Sequence, residues 1–229
     1  MTKENLGKVG IIIAARISSS RLPRKALLEL RGIPMLTFLL KRLKNSSLAD
    51  EIILATSSQK EDDCLSVLAR KEGVSCFRGS LNDVVERYVQ AADEFSIDTV
   101  VRVTGDCPFV NGEVVDYSIE NASKAEFNLC STKGYFPVGL DVEIYHAREM
   151  KKMHLSNFLN IEHREHLTLH YYECRENYKI VYLQPKAKWK KQNFQYTIDF
   201  QADLEKANSI VENFDNINFS ISELINKTD

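Results

Sequence analysis

The stretch "IIIAARISSSRLPRKALLEL" (residues 11–30) passes directly from an apolar run into a cluster of hydroxyls and cations. The run "VGIIIAA" (9–15) lacks polar alternation and reads as a buried strand. Behind it stand Ser18, Ser19 and Ser20 and four cations, Arg16, Arg21, Arg24 and Lys25. Ligands of open α/β sheets bind at the carboxyl ends of strands. Backbone amides, hydroxyls and cations gathered at such an end suit a polyanion, most simply a phosphate chain. The spacing is neither G-x-x-x-x-G-K-[ST] nor GxGxxG, so this is neither a Walker loop nor a dinucleotide fingerprint. A solvated basic loop is the competing reading, and Pro23 inside the cluster favours a shaped loop.

Outward from this stretch, apolar runs alternate with segments of helical period. The pattern predicts strands at 9–15, 51–56, 75–77 and 99–104, and helices at 34–46, 61–72, 82–95 (capped by Asn82) and 111–123. This βαβα order implies a mainly parallel sheet with helices on both faces. From about 125 the alternation loosens. Strands are expected at "FNLCS", "LDVEIY" and "YKIVYLQ" (178–184), with "FQYTID" (194–199) returning toward the sheet and helices over 160–176 and 202–214. Residues 130–190 read as an insertion against the ligand edge of the sheet, forming an acceptor side or a dimer arm. No Gly/Ser- or Pro-rich linker sets it apart, so 1–229 is expected to be one domain.

Composition narrows the function. With 229 residues, 44% hydrophobic and 27% charged, the chain has enough apolar material for a sizeable core. A net charge of −2 gives no support to nucleic-acid or membrane-surface binding, which makes the cations at 16–25 a local feature. No apolar run approaches the roughly 20 residues of a membrane span, and "MTKENLGK" does not read as a signal peptide. Five cysteines without CxxC spacing read as reduced thiols, and the expected location is the cytoplasm.

"AARISSSRLPRKAL" resembles the A-R-x-x-S-x-R-L-P-x-K signature of the cytidylyltransferases that activate acidic sugars, and most resembles their spore-coat-polysaccharide branch. The likeness continues through "GIPML", "EIILATS", "FRGSLNDVVERY", "VVRVTGDCPFV", "GLDVEIY", "REHLT" and "YTIDFQADLE", over about residues 9–206. It implies a three-layer α/β/α sandwich and transfer of CMP from CTP to an acidic acceptor with release of pyrophosphate. Such acceptors include nonulosonic acids, ketodeoxyoctulosonate, amino-sugar acids and phosphonates.

By this resemblance Arg16, Arg21 and Lys25 bind the triphosphate beside Ser19, and Ala14 and Ala15 present backbone near the base. Arg78 and Ser80 complete the nucleotide pocket, and Arg16 and Lys25 act on the charge of the transferring group. Family members commonly carry glycine where this chain has Ser18 and Arg24.

Asp106, at the exit of the strand 99–104, and Asp199, after "YTI", are the expected Mg²⁺ ligands, since Mg²⁺ takes few carboxylates plus phosphate oxygens and water. Asp106 could instead be a turn residue, and Asp199 a cap of the helix 202–214. Alternation in "GLDVEIY" puts Asp141 and Glu143 on one strand face, which the resemblance makes the acceptor side. His163, His166 and His170 are expected on one helix face, yet without HExxH a zinc cluster is the weaker reading. The match to "REH" makes Arg164, Glu165 and His166 acceptor or dimer contacts. The apolar "YFPVGL" with Tyr171 and Tyr172 predicts a homodimer through 130–175. Trp189, within the basic "PKAKWKKQNF", is read as part of a mobile charged loop. Two other readings compete: a sugar-nucleotide glycosyltransferase, whose usual D-x-D is missing, and a silent nucleotide-binding protein, supported only by the substituted glycines.

Overall fold

In the computed structural model, residues 3–19, 21–190 and 194–228 are described. Ser20 and the middle of the basic "KWKKQNF" run lie outside them.

Strand β1 (Val9–Ala14) opens a seven-stranded sheet. The chain then forms a hairpin of β2 (Glu29–Leu30) and β3 (Ile33–Pro34), followed by helix α1 (Met35–Leu43). Next come β4 (Glu51–Ser57), α2 (Asp63–Lys71), β5 (Ser75–Gly79), α3 (Val84–Glu94), β6 (Thr99–Thr104) and α4 (Gly112–Ala122). The later part supplies β7 (Leu129–Ser131), β8 (Glu143–His146), α5 (Ala147–Leu155), α6 (Ile161–Glu165), α7 (Leu169–Glu173) and β9 (Ile180–Tyr182). Helices α8 (Gln201–Val211) and α9 (Ile221–Asn226) follow.

The strand order is β5-β4-β1-β6-β8-β7-β9. Only β8 runs against the others, antiparallel to both β6 and β7. The sheet is therefore mainly parallel, and the fold is that of a three-layer α/β/α sandwich. Both faces are covered, which explains why β1 reads as an unbroken apolar run. Ile11 and Ile13 pack into a core with Phe38, Val114, Leu204 and Ile221, while Ile12 packs on the opposite face with Tyr88, Met150 and Tyr171. The chain leaves β1 for β4 on one side and later adds β6 on the other. The ends of β1 and β6 thus form the switch point where such sheets take ligands.

Several expectations need correction. The turn between β2 and β3 was not predicted. Arg31 (φ 52°) and Gly32 (φ 72°) both take left-handed backbone, as a two-residue hairpin turn requires. The cap of α3 is Asp83, whose carboxylate accepts from the Glu86 amide at 2.8 Å, and not Asn82. The helix expected over 160–176 is broken at His166–Thr168, because Thr168 turns inward to a buried carboxylate on β8. His163, His166 and His170 therefore do not share one continuous face. Residues 194–199 form an extended segment with a single bridge, Val138 to Gln195, and do not join the sheet. Trp189 is fully buried against Tyr117 and Phe136, with ring centroids 5.2 and 5.9 Å away, so it belongs to the core. Helices α5 and α9 were also not predicted. Arg42, wholly buried in α1, anchors the end of the chain: its guanidinium donates to the carbonyls of Phe219 and Phe109 at 3.1 Å. Burial lowers its pKa to about 9 despite the nearby Glu113.

Candidate active site

Ala14 and Thr104 are paired in register, so β1 and β6 release their loops side by side. The loop after β1 is pinned from below. The Ile17 amide donates to Asp62 at 2.7 Å, and the other oxygen of this fully buried carboxylate accepts from the Ser57 hydroxyl. Ser19 Oγ accepts from the Leu22 amide at 3.4 Å. Arg24 then takes left-handed backbone (φ 57°) and turns the chain into a single 3-10 turn, Lys25–Leu27. Glycine adopts that conformation without cost, which accounts for glycine being common there among the sequences this loop resembles.

The turn aims Lys25 at two carboxylates. Its Nζ lies 3.2 Å from Asp106 Oδ2 and 3.1 Å from Asp199 Oδ1. Arg21 adds a 2.9 Å ion pair to the same Asp199 oxygen, and its guanidinium lies 5.5 Å from the Phe200 ring centre. Lys25 and Asp199 are 174 residues apart in the chain, and the fold brings them into contact. The backbone supports this: the Ile198 amide donates to the Asp106 carbonyl at 2.9 Å. A Cβ on Gly105 would come 2.9 Å from the Ala14 carbonyl oxygen, so glycine is what allows the Asp106 turn to lie this close to β1.

Asp199 is not the cap of α8. Phe200 stands at the cap position, and Asp203 in the first turn of α8 accepts from the Asp199 and Phe200 amides at 3.0 and 2.9 Å. The Asp199 carboxylate is thereby left to the cations. Burial pushes the Asp106 carboxyl up, but the Lys25 ammonium outweighs it and holds the group below its ordinary value. Cys107, beside it, is buried and close to the Asp106 charge, and both raise its pKa. It is a neutral thiol, 2.9 Å from Thr104 Oγ1.

Around this centre, Arg16 reaches Glu165 of α6 at 3.5 Å, and Arg164 reaches Asp83 at 2.5 Å. Ser80 Oγ accepts from the Asp83 amide at 3.1 Å, and His166 is exposed. The Ala14 amide donates to the Tyr88 hydroxyl at 3.1 Å and the Ala15 amide to Ala55 O at 3.4 Å, so both amides are engaged within the fold. Arg78 donates to the carbonyls of Ser57 (3.0 Å) and Gln59 (2.8 Å) and pairs with Asp63 at 2.6 Å. All these partners follow or end β4, and none is in the Lys25 cluster.

Asp141 precedes β8 and accepts from the Gly139 amide at 3.0 Å; burial raises its carboxyl. Glu143, with a 3% exposed side chain, pairs with Arg102 across β6 and β8. It also accepts from the hydroxyls of Thr168 and Tyr172. Burial, the largest influence, pushes Glu143 up, but Arg102, the Tyr172 hydroxyl and Lys133 together outweigh it and the carboxyl stays below its ordinary value.

Sequence reading missed Asp62, Tyr88, Arg102, Thr168 and Asp203, and it read Tyr171 and Tyr172 as exposed dimer surface, whereas Tyr171 is fully buried and the Tyr172 hydroxyl donates to Glu143. Only Arg102 carried a signal of its own, as a lone charge inside the apolar "TVVRVT". Among the described residues no three His, Cys, Asp or Glu side chains gather into a metal-ligating group. Also among them, no helix is long and apolar enough to cross a membrane.

A mainly parallel sheet with cations and paired carboxylates at its switch point defines an α/β protein built to take a phosphate-bearing ligand. Within that class the chain belongs to the cytidylyltransferase family, whose pattern it matches over residues 10–224. It is 37% identical over 218 residues to an uncharacterized protein of Methanocaldococcus jannaschii, covering 95% of this chain and 89% of that one. It is 30% identical over 222 residues to the spore coat polysaccharide biosynthesis protein SpsF of Bacillus subtilis, covering 93% and 91%. The solved cytidylyltransferase of Leptospira borgpetersenii superposes with a TM-score of 0.90 at 32% identity, over 96% of this chain and 92% of that chain.

Proposed function

We propose that this protein transfers CMP from CTP to an acidic sugar or related acid, releases pyrophosphate, and so activates a precursor of surface polysaccharide or glycan. The observation that carries this is the convergence of Asp106 and Asp199 on Lys25, beside Arg21, at the exit of β1 and β6. Membership in the cytidylyltransferase family and similarity to a spore coat polysaccharide protein support the reaction and its setting.

Arg16, Arg21, Lys25 and Ser19 bind the triphosphate. Ala14, Ala15, Arg78 and Ser80 surround the nucleoside. The acceptor oxygen attacks the α-phosphorus in line with departing pyrophosphate. Arg16 and Lys25 stabilise the charge on the transferring and leaving groups as the bond breaks. Two carboxylates already converge on one cation here, a donor set suited to Mg²⁺ shared with phosphate and water. Asp106 and Asp199 would hold that ion, which when bound neutralises phosphate charge. Asp141, Glu143, Arg164, Glu165 and His166 form the acceptor side, with Glu143 fixing Arg102 rather than facing solvent. The exposed Tyr135, Val138, Leu155, Phe158 and Ile161 give residues 130–175 the surface for a homodimer in the cytoplasm.

The test is pyrophosphate release from CTP and Mg²⁺ with a panel of acidic acceptors, against ATP and GTP. CTP-dependent release that requires an acid is the expected result. Release with neutral acceptors, or equal use of ATP, would sink the assignment.

A further inference from the structure

We infer that Lys25 closes the Asp106–Asp199 pair to a free divalent cation, so that metal enters only with the triphosphate that draws Lys25 away. The inference rests on the roles proposed above for these three residues.

The ammonium of Lys25 already occupies the point on which both carboxylates converge, at 3.2 and 3.1 Å, with its side chain 16% exposed. Arg21 holds the same Asp199 oxygen from the outside at 2.9 Å. Two carboxylates and two cations leave no net charge to attract a second cation. The hydrogen-bond partners of the Lys25 ammonium among the described residues are these two carboxylates alone. A metal arriving by itself must therefore expel an ammonium that has no other ion-pair partner among the described residues, and a half-buried charge without a partner is disfavoured. A triphosphate changes this balance. It offers Lys25 and Arg21 new oxygens, and the carboxylates they leave are then free for the ion that the phosphates bring. Lys25 heads a single 3-10 turn after an exposed stretch, so the swing needs side-chain torsions and no helix movement.

The closing and the binding are thermodynamically linked. CTP tightens metal binding and metal tightens CTP binding by the same factor. Part of that factor comes from direct phosphate–metal contact and survives any change at Lys25. The discriminating quantity is accordingly metal affinity without nucleotide.

Mn²⁺ binding followed by electron paramagnetic resonance tests this on wild type, Lys25→Met, Lys25→Arg and Asp106→Asn, each with and without CTP. Without CTP, Lys25→Met should bind Mn²⁺ at least about tenfold more tightly than wild type, within the usual range of coupling between sites. Lys25→Arg should stay closed like wild type. Mn²⁺ alone should raise the melting temperature of Lys25→Met and not that of wild type. If Lys25→Met does not fold, Lys25→Gln takes its place. Equal affinity of nucleotide-free wild type and Lys25→Met overturns the inference. If Asp106→Asn then still abolishes binding, the metal site itself stands. Absence of Mn²⁺ binding to wild type with CTP overturns both.

Discussion

Two ion clusters lie within a few residues of each other along β6, and they are built to opposite ends. Arg102 and Glu143 are sealed between strands, with Thr168 and Tyr172 satisfying the remaining lone pairs of the carboxylate. Lys25, Asp106, Asp199 and Arg21 sit at the edge with side chains 16%, 29%, 19% and 57% exposed, and among the described residues no hydroxyl completes the contacts of Lys25. Buried pairs with full hydrogen bonding hold a structure in one arrangement. Partly exposed pairs, which water can reach, exchange partners more readily. The first cluster fixes where the strands lie, and the second, by the reading proposed above, responds to what binds.

Breaking the sealed cluster should have the largest effect on folding. Glu143→Ala leaves Arg102 buried and unpaired, and should cost about 3–5 kcal/mol in urea unfolding. The double change Arg102→Met with Glu143→Leu should recover most of that loss. Little recovery would mean that the hydroxyls, not the ion pair, hold the segment. The edge cluster should behave the other way. Lys25→Ala should lower kcat by about 10²–10³ with a smaller change in KM for CTP, because a cation on developing charge acts in the transition state. Its unfolding midpoint should stay near that of wild type, and an unchanged kcat would reduce 16–25 to a basic surface loop.

Acid sharpens the contrast at smaller scale. The folded pKa of Glu143 lies below its ordinary 4.5, so its contribution to stability is complete above that value. It fades as pH falls through the depressed folded value, by about 1.4 kcal/mol for every tenfold difference in proton affinity between the folded and unfolded chain. The stability gap between wild type and Glu143→Gln should therefore narrow as pH is lowered from the neutral range through the ordinary carboxylate range. A constant gap would remove the ion pair from the account. The smallest effect is expected at Arg24, which is exposed and strained at φ 57°. Arg24→Gly should raise stability by no more than about 1 kcal/mol, since relief of strain is partly offset by a freer unfolded chain. Turnover should not fall.

The same contrast explains what could be read from the sequence. Apart from the short β2–β3 hairpin, elements up to residue 122 follow their own periodicity, because each is a whole strand or helix with a broad buried face. Beyond it, single tertiary contacts overrule local pattern. Thr168 breaks a helical period to reach Glu143, and Trp189 leaves a basic run to fill the space beside Tyr117 and Phe136. In the site, residue types were legible from motif resemblance, while their meeting was not. Nothing local joins Asp199 to Lys25, and Phe200 rather than Asp199 stands at the cap of α8 only because of how the turn there closes. Asp62, inside "QKEDDC", looks like solvated surface charge and is instead the buried support of the loop.

The contact between Lys25 and Asp199 also sets an order in time. A ribosome adding about 5–20 residues per second needs on the order of 10–35 s to make the 174 residues between them. Throughout that interval the nascent chain carries the basic loop without the aspartate that faces it. Arg42 waits longer still, for the carbonyl of Phe219. The protein thus writes its basic loop first and closes it nearly last, and a chain released before residue 199 lacks the partner that completes the cluster.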